Sequence, residues 1–65
     1  MNLDDALEEL DSYGATHDWD QPKLELAKNY LYEVISGREG NVPDDLDETA
    51  ASEVSRIAHK HILAD

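Results

Sequence analysis

The chain has 65 residues, no cysteine and a formal net charge of −11 at pH 7, from 16 acidic residues against five lysines and arginines. This length allows one small domain over residues 1–65, and the lack of cysteine excludes disulfides as a source of stability. Such acidity argues against direct binding to nucleic acid or to an anionic membrane. No apolar run approaches the roughly 18 residues of a membrane span and no signal peptide is recognisable, so we expect a cytoplasmic protein.

The first predicted element is a helix over residues 3–13. Asn2 is a suitable N-cap, and Gly14 is expected to end the helix in the left-handed conformation. A narrow apolar stripe at helical spacing consists of Leu3, Ala6, Leu7 and Leu10. The opposite face carries the acidic residues Asp4, Asp5, Glu8, Glu9 and Asp11. Like charges four residues apart cost a few tenths of a kcal/mol, so this face is not arranged for helix stability alone.

The start of the second helix can be read in two ways. With Asp20 as N-cap, Trp19 and Leu24 occupy the two positions of a hydrophobic staple. Alternatively, Gln21 is the cap and Pro22 is the first helical residue. Trp19 is then either a staple that belongs partly to the core or an exposed anchor for a partner.

The second predicted helix covers residues 21–36, and Gly37 is expected to end it. Its apolar stripe is formed by Leu24, Ala27, Leu31, Val34 and Ile35, with Tyr30 on the edge. Leu26, Tyr30 and Tyr32 lie beyond this stripe, so they offer an apolar surface for a second copy of the chain.

The third predicted helix covers residues 46–63, after a long loop that contains Gly37, Gly40 and Pro43. Asp45 as N-cap and Glu48 three residues later match the capping-box spacing. The apolar side of this helix is formed by Leu46, Ala50, Val54, Ile57, Ala58 and Ile62.

Three aligned stripes predict an all-α fold, a compact three-helix bundle in which homodimerisation would complete a small core. The predicted core residues are Leu3, Leu7, Leu10, Leu24, Leu31, Val34, Val54 and Ile57.

No catalytic, cofactor or metal site is predicted, and we do not expect an enzyme. Asp45 and Asp47 resemble the opening of a calcium loop, but the glycine and glutamate that such a loop requires further on are missing. His59 and His61 point about 200° apart around a helix and cannot chelate one metal together. His61 lies on the apolar stripe and is expected to be a packed histidine with a bonded nitrogen.

The uneven distribution of charge is the main indication of function. Residues 1–22 hold seven acids and no base, and residues 40–53 hold five acids and no base. Three interpretations fit this pattern. The charge serves solubility or a salty cytoplasm; or the chain mimics nucleic acid and inhibits a nucleic-acid-binding protein; or it is an adaptor or antitoxin-like partner of a basic protein.

Both binding interpretations place the contact on the two acidic blocks. The residues expected to contact a basic partner are Asp4, Asp5, Glu8, Glu9, Asp11, Asp18, Trp19, Asp20, Asp44, Asp45, Asp47 and Glu48.

Overall fold

The computed structural model describes residues 3–63 and confirms the helical fold class. Helix α1 spans Leu3–Thr16, α2 spans Gln21–Ile35 and α3 spans Glu48–Ala58. A short π-helical segment, His59–Leu63, continues α3, and no strand occurs between residues 3 and 63. The expected N-cap Asn2 lies outside the described residues.

Helix α1 does not end at Gly14, as the sequence predicted, but continues to Thr16. Asp18 takes the left-handed conformation instead, with φ 56°. The amide of Trp19 donates to the Gly14 carbonyl at 2.9 Å and that of Asp18 to the Ala15 carbonyl at 3.5 Å, which is the Schellman pattern of helix termination. Gly14 is buried inside the helix, where a Cβ would lie only 3.1 Å from the Trp19 ring. Close packing, and not a turn, therefore accounts for this glycine.

Both ends of α2 agree with the sequence signals. Asp20 is the N-cap, and its Oδ1 accepts a hydrogen bond from the amide of Lys23 at 3.0 Å, so Pro22 is the second helical residue and not the first. Gly37 follows the C-cap with φ 85°, and the next amide, that of Arg38, donates to the carbonyl of Glu33 at 2.8 Å. This is the same Schellman pattern, with glycine in the left-handed position.

The start of α3 differs from the predicted capping box at Asp45. The amide of Leu46 donates to the Pro43 carbonyl at 3.0 Å, so residues 43–46 form a turn before the helix. This turn places the Leu46 side chain in the core, with 4% of its surface exposed. Asp47 is the N-cap, and its side chain makes no capping hydrogen bond but pairs with Lys23. Burial of Leu46 thus moves the helix start two residues beyond the capping-box position.

The core lies between the three helices, each of which packs against the other two. Of the predicted core residues, five are buried: Leu10, Leu31, Val34, Val54 and Ile57. The other three are only partly buried and pack against that core: Leu3, Leu7 and Leu24.

Tyr30 is buried inside the bundle, although the sequence placed it on the edge of the stripe. It is 3% exposed, and its hydroxyl donates to the backbone carbonyl of Glu39. Burial and the nearby charge of Glu39 raise the pKa of Tyr30. This bond ties the loop after α2 to the core.

Two of the three residues expected at a homodimer contact therefore have partners within the chain. Tyr30 is buried and Leu26 packs partly against the core, while Tyr32 is 47% exposed. The homodimer stays a prediction that now rests mainly on Tyr32.

Helices α1 and α3 run in opposite directions. Glu9 of α1 contacts Arg56 and Lys60 near the end of α3, whereas Trp19, just after α1, lines the same cleft as Thr49 at the start of α3. The two acidic blocks therefore meet at one end of the bundle only. None of the helices within residues 3–63 has both the length and the apolarity needed to cross a membrane.

Candidate acidic binding surface

Every lysine and arginine of the chain is engaged with a carboxylate of the same molecule. Lys23 lies 2.9 Å from Asp47, and Lys28 lies 3.1 Å from Asp11. The remaining pairs are Arg38–Glu33, Arg56–Glu9, Arg56–Glu53 and Lys60–Glu9. The positive charges are thus neutralised internally, and the charge excess resides on other carboxylates.

Most of the predicted contact residues belong to this excess. They are exposed and, among residues 3–63, form no ion pair: Asp4, Asp5, Glu8, Asp18, Asp20, Asp44, Asp45 and Glu48. The other predicted carboxylates, Glu9, Asp11 and Asp47, are occupied by basic side chains of the chain itself.

Six of these eight carboxylates form two groups. Asp4, Asp5 and Glu8 make up the first, here called the α1 group, which lies on the half of α1 that faces the end of α3. Asp44, Asp45 and Glu48 surround the start of α3 and make up the α3 group. The remaining two, Asp18 and Asp20, lie between the end of α1 and the start of α2. Together with Asp47, at the start of α3, they line one cleft.

This cleft, here called the aromatic cleft, has a volume of about 420 Å³. Its lining residues are Tyr13, His17, Asp18, Trp19, Asp20, Lys23, Asp47, Thr49 and Ala50. The sequence singled out Trp19 and the aspartates but missed Tyr13, His17 and Lys23. The i, i+4 spacing of Tyr13 and His17, just before Trp19, was the available signal.

The aromatic side chains of the cleft pack on one another. The rings of Tyr13 and His17 stack with centroids 4.0 Å apart, and Trp19 meets Tyr13 edge-on at 5.2 Å. Trp19 is partly buried and packs against the core, as the first of its two roles requires, and it also lines the cleft. Its role as an anchor for a partner stays a prediction. The ammonium of Lys23 lies 5.2 Å from the centre of the Trp19 ring, within cation–π range. Its ion pair holds the pKa of Asp47 below the usual value.

Among residues 3–63, Glu9 is the carboxylate with the most basic partners, three side chains from the end of α3 and the π-helical segment that continues it. His61 Nε2 lies 2.6 Å from Glu9 Oε1, Arg56 lies at 3.1 Å and Lys60 at 3.2 Å. The bond to His61, helped by Lys60 and Arg56, lowers the pKa of Glu9 to about 2. His61 is therefore a packed histidine with a bonded nitrogen, as the sequence predicted, and Glu9 joins α1 to the α3 end.

We expect Glu9→Gln to destabilise the fold near neutral pH and to lose this effect in acid. The folded-state pKa of Glu9 is about 2 against an ordinary 4.5, so its stabilisation is present above pH 4.5 and disappears as the pH falls towards 2. Because two of its three partners, Arg56 and Lys60, are more than half exposed, we expect a loss of only about 1–2 kcal/mol in the free energy of unfolding at pH 6.

The measurement is urea unfolding of both proteins between pH 6 and pH 2.5. The matched control is Glu8→Gln, which removes a neighbouring, exposed carboxylate without an ion pair among residues 3–63. A difference between Glu9→Gln and the parent that stays constant down to pH 2.5 would contradict this assignment.

Asp18 occupies a conformation that costs an L-amino acid about 1–2 kcal/mol, partly relieved for aspartate and asparagine. The equivalent position after α2 is Gly37. We expect Asp18→Gly to raise the free energy of unfolding by about 0.5–1 kcal/mol, which in so small a domain raises the melting midpoint by a few degrees. Thermal melts of Asp18→Gly and Asp18→Asn distinguish the effect of backbone strain from the effect of the charge, because asparagine removes only the charge. An unchanged or lower midpoint for Asp18→Gly would show that Asp18 carries no strain.

Within residues 3–63, no group of three or more histidine, aspartate or glutamate side chains is arranged to hold a metal ion. Comparison of the chain with protein-family models, with curated proteins and with solved structures found no match. What the chain binds is therefore inferred from its own charges and contacts.

Proposed function

We propose that this chain is a non-enzymatic inhibitor that binds a basic protein and occupies the groove with which that protein contacts nucleic acid. The internal neutralisation of all five lysines and arginines supports this proposal. A partner that approaches the exposed carboxylates meets a surface with few competing cations. Such a field attracts a positively charged groove and accelerates association.

The mode of attachment of the carboxylates also favours binding over mere solubility. Asp20 is held by its capping bond and Asp47 by Lys23, and Asp18 belongs to the hydrogen-bonded end of α1. Within α1, Asp4 and Glu8 are four residues apart, which places their Cβ atoms about 5–6 Å from each other. One groove can engage both carboxylates at this spacing. The carboxylates of Asp20 and Asp47, which are held by such bonds, lose little conformational entropy on binding.

An adaptor role without nucleic-acid geometry is the second candidate, and one observation favours it. The α1 group and the α3 group lie towards opposite ends of the antiparallel pair α1 and α3, so they do not form one unbroken stripe. A basic protein that uses only one of the two ends would bind without any likeness to a nucleic-acid backbone. Homodimerisation, if it occurs, would place two copies of each group on one particle.

The deciding experiment identifies the partner and then tests competition. Affinity capture from cells of the source organism and mass spectrometry give the partner, and its affinity is measured over a salt series with duplex DNA or RNA as competitor. We expect affinity to fall steeply with salt and nucleic acid to compete. Salt-sensitive binding without competition would support the adaptor. Absence of any specific partner, with stability that rises as salt is added, would leave only the solubility role.

A further inference from the structure

The aromatic cleft already holds a cation. The Lys23 ammonium lies 5.2 Å from the centre of the Trp19 ring and 2.9 Å from Asp47 Oδ1. An aromatic ring and a carboxylate within reach of the same cation are the two elements with which proteins bind side-chain cations. The bound lysine indicates the ligand chemistry independently of the surrounding acidic residues.

The charges that line the cleft exceed what Lys23 can neutralise. Asp18, Asp20 and Asp47 contribute three carboxylates, and Lys23 is the one lysine or arginine in the lining. The volume of about 420 Å³ leaves open space beside the ammonium. A second cation, or a larger one in place of Lys23, is therefore favoured by both charge and space.

We propose that the cleft receives an arginine side chain of the basic partner. In the free protein Lys23 occupies this position, and the arginine displaces it. The proposal rests on the proposed function and names the residue type that anchors the partner. A guanidinium is flat, so it stacks on the Trp19 ring, and it can bond Asp47 through two N–H groups where an ammonium offers a point charge.

Displacement of Lys23 from Asp47 costs little free energy. The side chains of Lys23 and Asp47 are 34% and 53% exposed, so their ion pair is of the weak, solvent-screened kind. Released from Asp47, Lys23 lies on the first turn of α2 and can extend into water. Trp19 keeps its place because it also packs against Gly14 and the core.

Trp19 is the single tryptophan of the chain, so intrinsic fluorescence reports on the cleft directly. The probes are an acetylated and amidated tri-arginine peptide and the tri-citrulline peptide of the same shape without charge. At low salt we expect a saturable change in Trp19 fluorescence with the arginine peptide and none with the citrulline peptide.

Two lysine variants then separate displacement from net charge. Lys23→Met removes the lysine that occupies the cleft, and Lys28→Met removes a similarly exposed lysine that pairs with Asp11 outside the cleft. We expect Lys23→Met to tighten peptide binding about two- to five-fold and Lys28→Met to change it less, because the broken pair is worth up to about a factor of five. No saturable signal, an equal response to citrulline, or equal effects of both variants would overturn the proposal.

The proposed function can fail separately. A captured partner that nucleic acid displaces, but that leaves Trp19 fluorescence unchanged, would refute the arginine site alone. Arginine-peptide binding in the cleft, combined with a partner that nucleic acid does not displace, would refute the mimicry and leave the site in place.

Discussion

Leu31→Ala is expected to lower the free energy of unfolding by about 2–5 kcal/mol and to lower the melting midpoint of the chain accordingly. Leu31 is fully buried in the C-terminal half of α2, in the cluster to which all three helices contribute. A chain of this length has a total stability of only about 3–10 kcal/mol, so loss of one central leucine removes a large part of it.

Circular dichroism during thermal and urea unfolding measures this effect. Asn29→Ala on the same helix is the matched control, because Asn29 is exposed and its replacement creates no cavity. The control should melt at or above the midpoint of the parent, since alanine is the better helix former. A Leu31→Ala protein with the spectrum and midpoint of the parent would contradict the assigned core.

The features of the fold that the sequence predicted are those that depend on neighbouring residues. The apolar stripe of α2 and both of its ends, Asp20 and Gly37, follow from helix periodicity and from capping chemistry within a few residues. The all-α class follows in the same way from three stripes. Such signals need no knowledge of how the helices pack.

The features that the sequence missed depend on contacts between distant residues. Gly14 looked like a helix end, but its missing side chain makes room for Trp19, and Asp18 takes the left-handed position instead. Asp45 matched a capping box, but burial of Leu46 requires a turn at that point. A local rule was overridden in both cases by the packing of an apolar side chain.

For the candidate site, the sequence predicted which acidic residues take part but not how they are arranged in space. Exposed acids were expected on both blocks, but the pairing of Glu9 with Arg56, Lys60 and His61 depends on the antiparallel packing of α1 and α3. The packing of α2 against α3 brings Lys23 to Asp47, and Trp19, just after α1, completes the aromatic cleft. Glu9 and its three partners are 47 to 52 residues apart in sequence, so helical spacing could not predict that they form ion pairs.

The largest expected effect on function comes from neutralising the α1 group and the α3 group together. The variant carries Asp4→Asn, Asp5→Asn, Glu8→Gln, Asp44→Asn, Asp45→Asn and Glu48→Gln. At about 0.5–1 kcal/mol for each contact with a basic groove, we expect partner affinity to fall by about two to four powers of ten. The salt dependence of the remaining binding should also become shallower.

The six-fold variant is expected to lose affinity for the partner without losing folding stability. These six carboxylates are exposed and form no ion pair among residues 3–63, and their removal relieves like-charge repulsion within α1 and at the start of α3. Glu9 is kept because its loss would weaken the contact between α1 and α3. Equal melting midpoints of variant and parent are therefore the control for an intact fold.

Two triple variants, each neutralising one group, decide between the two binding roles because both remove three charges. A groove built for nucleic acid spans both groups, so each triple variant should lose about half of the total binding free energy lost by the six-fold variant. An adaptor contact at one end predicts a large loss for one triple variant and little change for the other. Binding of the six-fold variant with the affinity of the parent would show that neither group contacts the partner and that the acidic surface serves solubility.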